Sequence, residues 1–186
     1  MKYVSIDLET SGLDPERCQI LEFAAVIDDG VRFVTELPTF HRYVIHDEYR
    51  GEPYALAMHS EIFKRIAKRD KDYKYIGISD LALAFKAFLL DNDLKSHITV
   101  AGKNFANFDL RFLRRVPGWN NIIGIRHRMI DPGCLYWSPI VDKERLPNLT
   151  TCLLRAGFVK TVSHTAVEDA IDVIYTVRRF VNVKVT

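Results

Sequence analysis

The hydrophobic pattern changes character along the chain. Runs rich in β-branched and aromatic residues, each ended by turn-forming residues, predict strands at residues 2–6, 19–27, 31–36 and 40–45. Helical spacing of apolar residues then predicts helices at 54–68, 81–89, 108–115, 149–156 and 165–180, with short strands at 98–102 and 127–131. A meander followed by alternating helices and strands indicates one α/β domain, residues 1–186, with a mixed sheet flanked by helices and the opening strand inside the sheet.

Local signals support these boundaries. Asp28-Asp29-Gly30 is typical of a hairpin turn. Ser79 and Asn148 are expected helix N-caps, and Gly157 is an expected C-terminal stop. Thr165 followed by Glu168 has the spacing of a capping box and predicts the start of the last helix.

Composition excludes several classes of protein. The chain has 186 residues, 48% of them hydrophobic, and a net charge of +2, which neither requires nor excludes a polyanionic partner. Cys18, Cys134 and Cys152 lack the spacing of zinc ligands or of a disulfide framework. No apolar run is long enough to span a membrane, and Asp7 and Glu9 interrupt any apolar signal core. We therefore expect a cytoplasmic protein without membrane contact.

Acidic residues at three separate places carry the candidate chemistry. Asp7 and Glu9 point to the same side of the first strand, where their repulsion favours a bound cation such as Mg²⁺. Asp109 begins a helix just after a strand, which is also explained by a favourable helix-terminal charge. Asp169 lies on the apolar face of the last helix, where a carboxylate is costly unless it is paired or binds a metal. That face is shared by Ala166, Ala170, Val173 and Val177.

Three motifs in order then resemble a known family. They are Asp7-x-Glu9, Asn104-x-x-x-Phe108-Asp109 and His164-x-Ala166-x-x-Asp169. From Tyr3 to about Phe180 the chain resembles the DEDDh-type, DnaQ-like 3′→5′ exonucleases, a group that includes proofreading exonucleases, RNase T and oligoribonuclease. The resemblance implies an RNase H-like fold and an enzyme that releases nucleoside 5′-monophosphates from the 3′ ends of single-stranded DNA or RNA.

The resemblance also implies roles for the motif residues. Two divalent cations, Mg²⁺ or Mn²⁺, would be held by four carboxylates, with Asp7 shared between them. Glu9 and Asp169 would complete one cation site, and Asp109 would belong mainly to the other. His164 would be the general base, which suits a side chain with an unperturbed pKa of about 6.5.

Further residues are expected to contact the substrate. By the same resemblance the terminal nucleotide would meet Leu8, Thr10, Leu13, His59, Asn104 and Phe108, although Leu13 is equally explained as a core residue. Basic residues that could follow the phosphates, or simply form solvated faces, are Lys64, Arg65, Lys68, Arg69, Lys71, Lys74, Arg111, Arg114 and Arg115. Aromatic residues that could stack on bases, or belong to the core, are Trp119, Tyr136 and Trp137.

Alternatives stay open at this level. Residues 13–17 and 126–131 resemble oligoribonuclease, which degrades very short RNA, whereas residues 101–109 and 164–166 resemble the broader proofreading type. The short stretch after the last motif favours a stand-alone trimming enzyme. A catalytically silent nucleic-acid-binding module is the alternative from another class. The choice between DNA and RNA and the oligomeric state remain open, and the resemblance makes a homodimer possible.

Overall fold

The computed structural model describes residues 1–95, 97–159 and 165–184. Within these residues the strands are β1 (Tyr3–Thr10), β2 (Ile20–Asp28), β3 (Thr39–Ile45), β4 (Tyr75–Gly77), β5 (His97–Ile98), β6 (Val100–Ala101) and β7 (Gly124–Ile125). The helices are α1 (Pro53–Met58), α2 (Ser60–Lys68), α3 (Leu81–Asp91), α4 (Asp109–Leu113), α5 (Trp119–Ile122), α6 (Pro132–Leu135), α7 (Leu149–Arg155) and α8 (Ala166–Phe180).

The main sheet has five strands in the order β4-β3-β2-β1-β6. β1 is antiparallel to β2 and parallel to β6, and β3 is antiparallel to β2 and parallel to β4. A separate small sheet pairs β5 with β7. The prediction of an α/β fold with a mixed sheet, flanking helices and an internal first strand is therefore confirmed.

The two faces of β1 serve different purposes. Val4, Ile6 and Leu8 lie in the larger hydrophobic core, together with residues of α3, α4 and α5. On the opposite face, the Ser5 hydroxyl donates a 2.7 Å hydrogen bond to the carbonyl oxygen of Ala170 in α8. Because side chains alternate along a strand, Asp7 and Glu9 lie on this α8 side of the sheet.

The far end of α8 is fixed by a buried ion pair. Arg178 is 2% exposed, and its Nη2 lies 2.6 Å from Oδ1 of Asp28 at the end of β2. The same guanidinium donates to the carbonyl oxygens of Arg32 and Lys184. Burial acts to raise the pKa of Asp28, but the hydrogen bonds from Arg178, Tyr3 and Gly30 together lower it, so both partners of the ion pair are charged at neutral pH. α8 is thus attached to the sheet at both ends.

A β-bulge lies beside the acidic end of β1. Glu9 pairs with Glu22 and Thr10 pairs with Ile20, which leaves Leu21 without a partner on β1. A bulge places two successive residues of one strand opposite one residue of its neighbour and re-aims their side chains. Leu21 accordingly packs with Tyr43 and with residues of α2, outside the larger core.

Four of the predicted elements were wrong. The strand predicted at 98–102 is two short strands, β5 and β6, that belong to different sheets. Residues 31–36 form a loop with a short 3₁₀ helix at Val34–Glu36, because Oδ1 of Asp29 accepts the backbone N–H groups of Val31 and Arg32 and closes a turn there. The helix predicted at 54–68 is two helices, α1 and α2, separated at His59. The strand predicted at 127–131 is reduced to a single bridge between Ile130 and Ala101.

The expected helix ends were partly correct. Asn148 caps α7 by accepting the N–H of Thr151, and Gly157 follows that helix with φ of +86°, so both predictions are confirmed. α3 is preceded by Asp80 rather than by Ser79 acting as the cap. Thr165 is the N-cap residue of α8, but its hydroxyl bonds to the Glu168 carboxylate (2.9 Å) instead of to the helix backbone.

Candidate active site

Three carboxylates from distant parts of the chain meet at one point. Asp7 and Glu9 come from β1, and Asp169 comes from the first turn of α8. One oxygen from each lies within 4.8 Å of the others. All the donors are carboxylate oxygens, which are the hard ligands that Mg²⁺ and Mn²⁺ prefer, so the residues present fit a divalent cation.

Asp109 supports this cluster from the first turn of α4. It is 3% exposed, and its Oδ1 accepts the backbone N–H of Leu8 at 3.1 Å, so Asp109 is attached to the strand between Asp7 and Glu9. Among neighbouring charges, Asp109 has the largest effect on the pKa of Asp7. The structure therefore brings all four predicted acids together, with Asp109 behind the group of three.

The cluster is electrostatically strained without a cation. Burial, followed by repulsion from Asp109, Asp169 and Glu9, raises the pKa of Asp7. Burial is also the main cause that raises the pKa of Glu9 to about 8. For Asp109, burial raises the pKa to about 7, although its backbone hydrogen bonds oppose the shift. A bound cation would favour the ionised forms of all these groups.

His59 separates α1 from α2 and faces the cluster. Its side chain is buried, and its Nε2 lies 3.4 Å from Oε2 of Glu9. The break between the helices therefore has a positional role, because a continuous helix would carry this imidazole in a different direction. Sequence reasoning placed His59 near the 3′ end of a substrate, and the structure places it beside the Glu9 carboxylate.

The turn after β1 is held by local contacts. The Thr10 hydroxyl, which is buried, donates to the carbonyl oxygen of Gly12, and the Leu13 N–H donates to Glu52. Leu13 has 70% of its side chain exposed, so the core interpretation is wrong for this residue. Leu8 packs into the core, so its backbone rather than its side chain faces the acids.

The second motif supplies backbone geometry as well as Asp109. Asn104 is exposed with φ of +57°, and its N–H donates to Oδ2 of Asp131. The carbonyl oxygen of Asn104 accepts the N–H of Phe108, which closes the turn that starts α4. Phe108 is half-buried and packs against Phe112, next to Asp109.

Two of the three candidate stacking aromatics have structural roles. Trp119 is 1% exposed and stacks on Phe85 with a centroid distance of 5.7 Å, so it belongs to the core. The Tyr136 hydroxyl donates to the carbonyl oxygen of Thr176 and thereby packs the chain against α8. Trp137 remains an exposed aromatic, with 51% of its surface accessible.

Sequence reasoning gave no role to one buried pair beside the site. Glu22 is 2% exposed, lies opposite Glu9 on β2, and accepts a 2.7 Å hydrogen bond from Nε2 of His41. The sequence signal that could have indicated a role for Glu22 is its position as an acidic residue inside an otherwise apolar strand. The remaining predicted catalytic residue, His164, lies outside the described residues.

Comparison with known proteins assigns the class. The RNase T model, described as exonuclease, matches residues 4–177. The chain therefore belongs to this exonuclease family, in agreement with the DnaQ-like motifs found in the sequence. A search of curated proteins gave no match.

Solved structures of exonuclease I share the fold. The Escherichia coli enzyme in complex with a dT13 oligonucleotide superposes with a TM-score of 0.63 at 16% identity, covering 97% of this chain and 41% of that one. A moderately thermophilic exonuclease I from Methylocaldum szegediense superposes with a TM-score of 0.62 at 15% identity, covering 97% of this chain and 40% of that one. A product-bound exonuclease I superposes with a TM-score of 0.63 at 16% identity, covering 98% of this chain and 43% of that one. The chain thus spans about two-fifths of the length of these proteins.

Among the described residues, no helix combines the length and the apolar character needed to cross a membrane.

Proposed function

We propose that the chain is a metal-dependent 3′→5′ exonuclease that acts on single-stranded nucleic acid and releases nucleoside 5′-monophosphates. The observation that carries this proposal is the convergence of Asp7, Glu9 and Asp169 within 4.8 Å, next to buried Asp109, in a chain of the exonuclease family. A catalytically silent binding module has no need for so many close carboxylates, because their repulsion costs stability.

Two Mg²⁺ or Mn²⁺ ions are the proposed cofactors. Asp7, Glu9 and Asp169 would hold one ion, and Asp7 with Asp109 would hold the other. Bound there, such cations would offset the charge of the scissile phosphate and lower the pKa of a nearby water. His164, from the third motif, is the proposed general base, while His59, whose Nε2 lies 3.4 Å from Oε2 of Glu9, orients that carboxylate.

The terminal nucleotide is proposed to lie against the turn after β1. The exposed side chain of Leu13 offers an apolar surface for a base or sugar. The backbone at Leu8 and Thr10 lines the same end of the strand, and Asn104 with Phe108 borders Asp109. These residues would position the 3′ end, since a reaction of this kind depends on accurate placement of the scissile bond.

A strand longer than a few nucleotides is favoured by the distribution of charge. Residues 60–74 contain six cationic and three acidic side chains, a net +3, so the rest of the chain carries −1 of the total +2. This stretch begins directly after His59, which contacts Glu9. The nine residues of α2 span about 13 Å along the helix axis. A strand that follows this helix would bind through its phosphates.

The test uses single-stranded oligonucleotides labelled at the 5′ end, in DNA and RNA versions of matched sequence and several lengths. With Mg²⁺ or Mn²⁺ we expect the oligonucleotides to be shortened stepwise from the 3′ end, with nucleoside 5′-monophosphates as the products. In EDTA we expect no reaction. Asp7→Asn should abolish shortening, whereas Glu36→Gln, which removes one exposed acid, should not. Internal cleavage, or shortening that survives Asp7→Asn, would contradict the proposal.

The same assay decides the substrate length. Lys68→Gln combined with Lys71→Gln should weaken binding of long strands and reduce the slope of log affinity against log salt concentration by about 1.4. These changes should leave dinucleotide cleavage unaltered, because a dinucleotide ends before these residues. If the enzyme instead prefers dinucleotides and its activity is unchanged by both substitutions, it is an oligoribonuclease.

A further inference from the structure

A further carboxylate, itself buried, lies directly behind the candidate metal centre. Glu22 on β2 is the register partner of Glu9 on β1, and only 2% of Glu22 is exposed. Side chains directly opposite each other on one face of an antiparallel pair have Cβ atoms about 4.5–5.5 Å apart. Two like charges in these positions repel, so the arrangement needs a compensating reason.

The far side of Glu22 supplies groups that keep its carboxylate in place. Nε2 of His41, on β3, lies 2.7 Å from Oε1 of Glu22. The next residue across the sheet is Tyr43, whose hydroxyl accepts a hydrogen bond from Arg65 of α2. His41 is itself packed edge-on against the rings of Tyr43 and Tyr73. Glu22 is therefore set between basic groups on one side and Glu9 on the other.

We infer that Glu22 is a positioning residue for the metal centre: held by His41, its carboxylate adds negative charge behind Glu9 and strengthens cation binding without coordinating the cation. The cluster of oxygens close enough to share an ion, among the described residues, consists of Asp7, Glu9 and Asp169 and does not include Glu22. This inference rests on the metal centre of the proposed function.

Electrostatics gives Glu22 two opposite effects. Without a cation its charge repels the Glu9 carboxylate directly opposite it and destabilises the cluster. With a divalent cation present, the same charge attracts the cation across a low-dielectric interior. Removing the charge should therefore stabilise the metal-free protein and weaken metal binding at the same time.

A purely structural role predicts a different result. If Glu22 only fills space and accepts the hydrogen bond from His41, then a substitution that leaves a poorer hydrogen bond lowers stability and leaves cation affinity unchanged. Substitution of Glu22 therefore separates the two roles. The electrostatic role predicts a more stable metal-free protein with weaker cation binding, whereas the structural role predicts a less stable protein with unchanged cation affinity.

The experiment compares Glu22→Gln, which removes the charge and keeps the shape, with Glu36→Gln, which removes an exposed acid of the 3₁₀ helix. Melting temperatures are measured on metal-free protein in EDTA, and Mn²⁺ affinity is measured by calorimetric titration without substrate. We expect Glu22→Gln to melt higher than wild type and to bind Mn²⁺ about tenfold to a hundredfold more weakly. Glu36→Gln should match wild type in Mn²⁺ affinity.

A second substitution separates charge from shape. His41→Gln keeps the Glu22 carboxylate and should retain wild-type Mn²⁺ affinity. Unchanged affinity in Glu22→Gln, a lower melting temperature, or failure of this variant to fold would each overturn the inference. Wild-type protein that binds Mn²⁺ but does not shorten oligonucleotides would refute the exonuclease activity and leave the role of Glu22 standing. Wild-type protein that binds no Mn²⁺ would refute both.

Discussion

The metal-free protein should lose stability as the pH rises, and the effect should disappear when cations bind. Burial and neighbouring acids raise the pKa of Glu9 from its ordinary value of 4.5 to about 8. Below the unfolded pKa, Glu9 is protonated in both states, so the protein has its full stability there. Between the two pKa values the folded state still holds a proton that the unfolded state has released, and stability falls with pH. The loss is complete once the pH exceeds the folded pKa.

The size of the effect follows from linkage. One proton held only by the folded state changes the free energy of unfolding by about 1.4 kcal/mol per pH unit. Glu9 alone therefore removes about 3 kcal/mol between about pH 5 and about pH 7. For a domain of this size that corresponds to about 6–12 °C in melting temperature. Asp109, whose pKa is raised to about 7 mainly by burial, adds to the loss over the same interval.

The assay is thermal unfolding followed by circular dichroism, in EDTA and in saturating Mg²⁺, across this pH interval. In EDTA the melting temperature should fall steadily, while in Mg²⁺ it should stay nearly level because the cation favours the ionised carboxylates. Glu9→Gln should make the fall of the melting temperature in EDTA less steep, because the folded state then holds about one proton fewer in excess of the unfolded state. A melting temperature that is flat or rising with pH in EDTA would show that these acids are not strained, and the electrostatic argument for a metal centre would fail.

Three substitutions test the scaffold around the site. Arg178→Met leaves the buried Asp28 carboxylate without its partner and should lower the free energy of unfolding by about 3–5 kcal/mol in urea titrations. Gly51→Ala would place a Cβ in steric conflict with the carbonyl oxygen of Ser11, so we expect a loss of about 1–3 kcal/mol in the free energy of unfolding and a higher KM. Trp119→Ala removes a fully buried ring from the core and should cost about 3–5 kcal/mol in the same titrations.

Each of these has a result that would contradict it. Wild-type stability in Arg178→Met would mean that the ion pair with Asp28 is replaceable by an apolar contact. A normal KM in Gly51→Ala would separate the turn from substrate binding. A stable Trp119→Ala variant with weaker oligonucleotide affinity would restore the base-stacking role that the structure argues against. Glu36→Gln serves as the common control, because its side chain is exposed.

The main features of the fold followed from local patterns. β1 and β2 were predictable because continuous apolar runs ended in turn residues, and α8 was predictable because its apolar positions recur with helical spacing. The placement of Asp169 on the inward face of α8 followed from the same spacing. Its meeting with Asp7 and Glu9 needed the resemblance of the three motifs, because spacing within single elements does not say how the elements pack.

The failures have physical causes that lie outside local sequence pattern. The 31–36 segment alternates like a strand, but Asp29 captures backbone N–H groups and turns the chain before it can pair. The break at His59 depends on a tertiary contact with Glu9, which no helical periodicity records. Glu22 was given no role because its position opposite Glu9 depends on cross-strand register, and a bulge at Leu21 alters that register locally.

The attachment of α8 at two points bears on how the proposed metal centre would take up a cation. Ser5 holds the backbone at Ala170, and Asp28 holds Arg178, so the segment carrying Asp169 cannot slide along β1 by even one helical turn. The ligands from strand and helix are therefore preorganised, and little conformational entropy remains to be lost on ion capture. Metal exchange should accordingly proceed at a rate governed by dehydration of the ion.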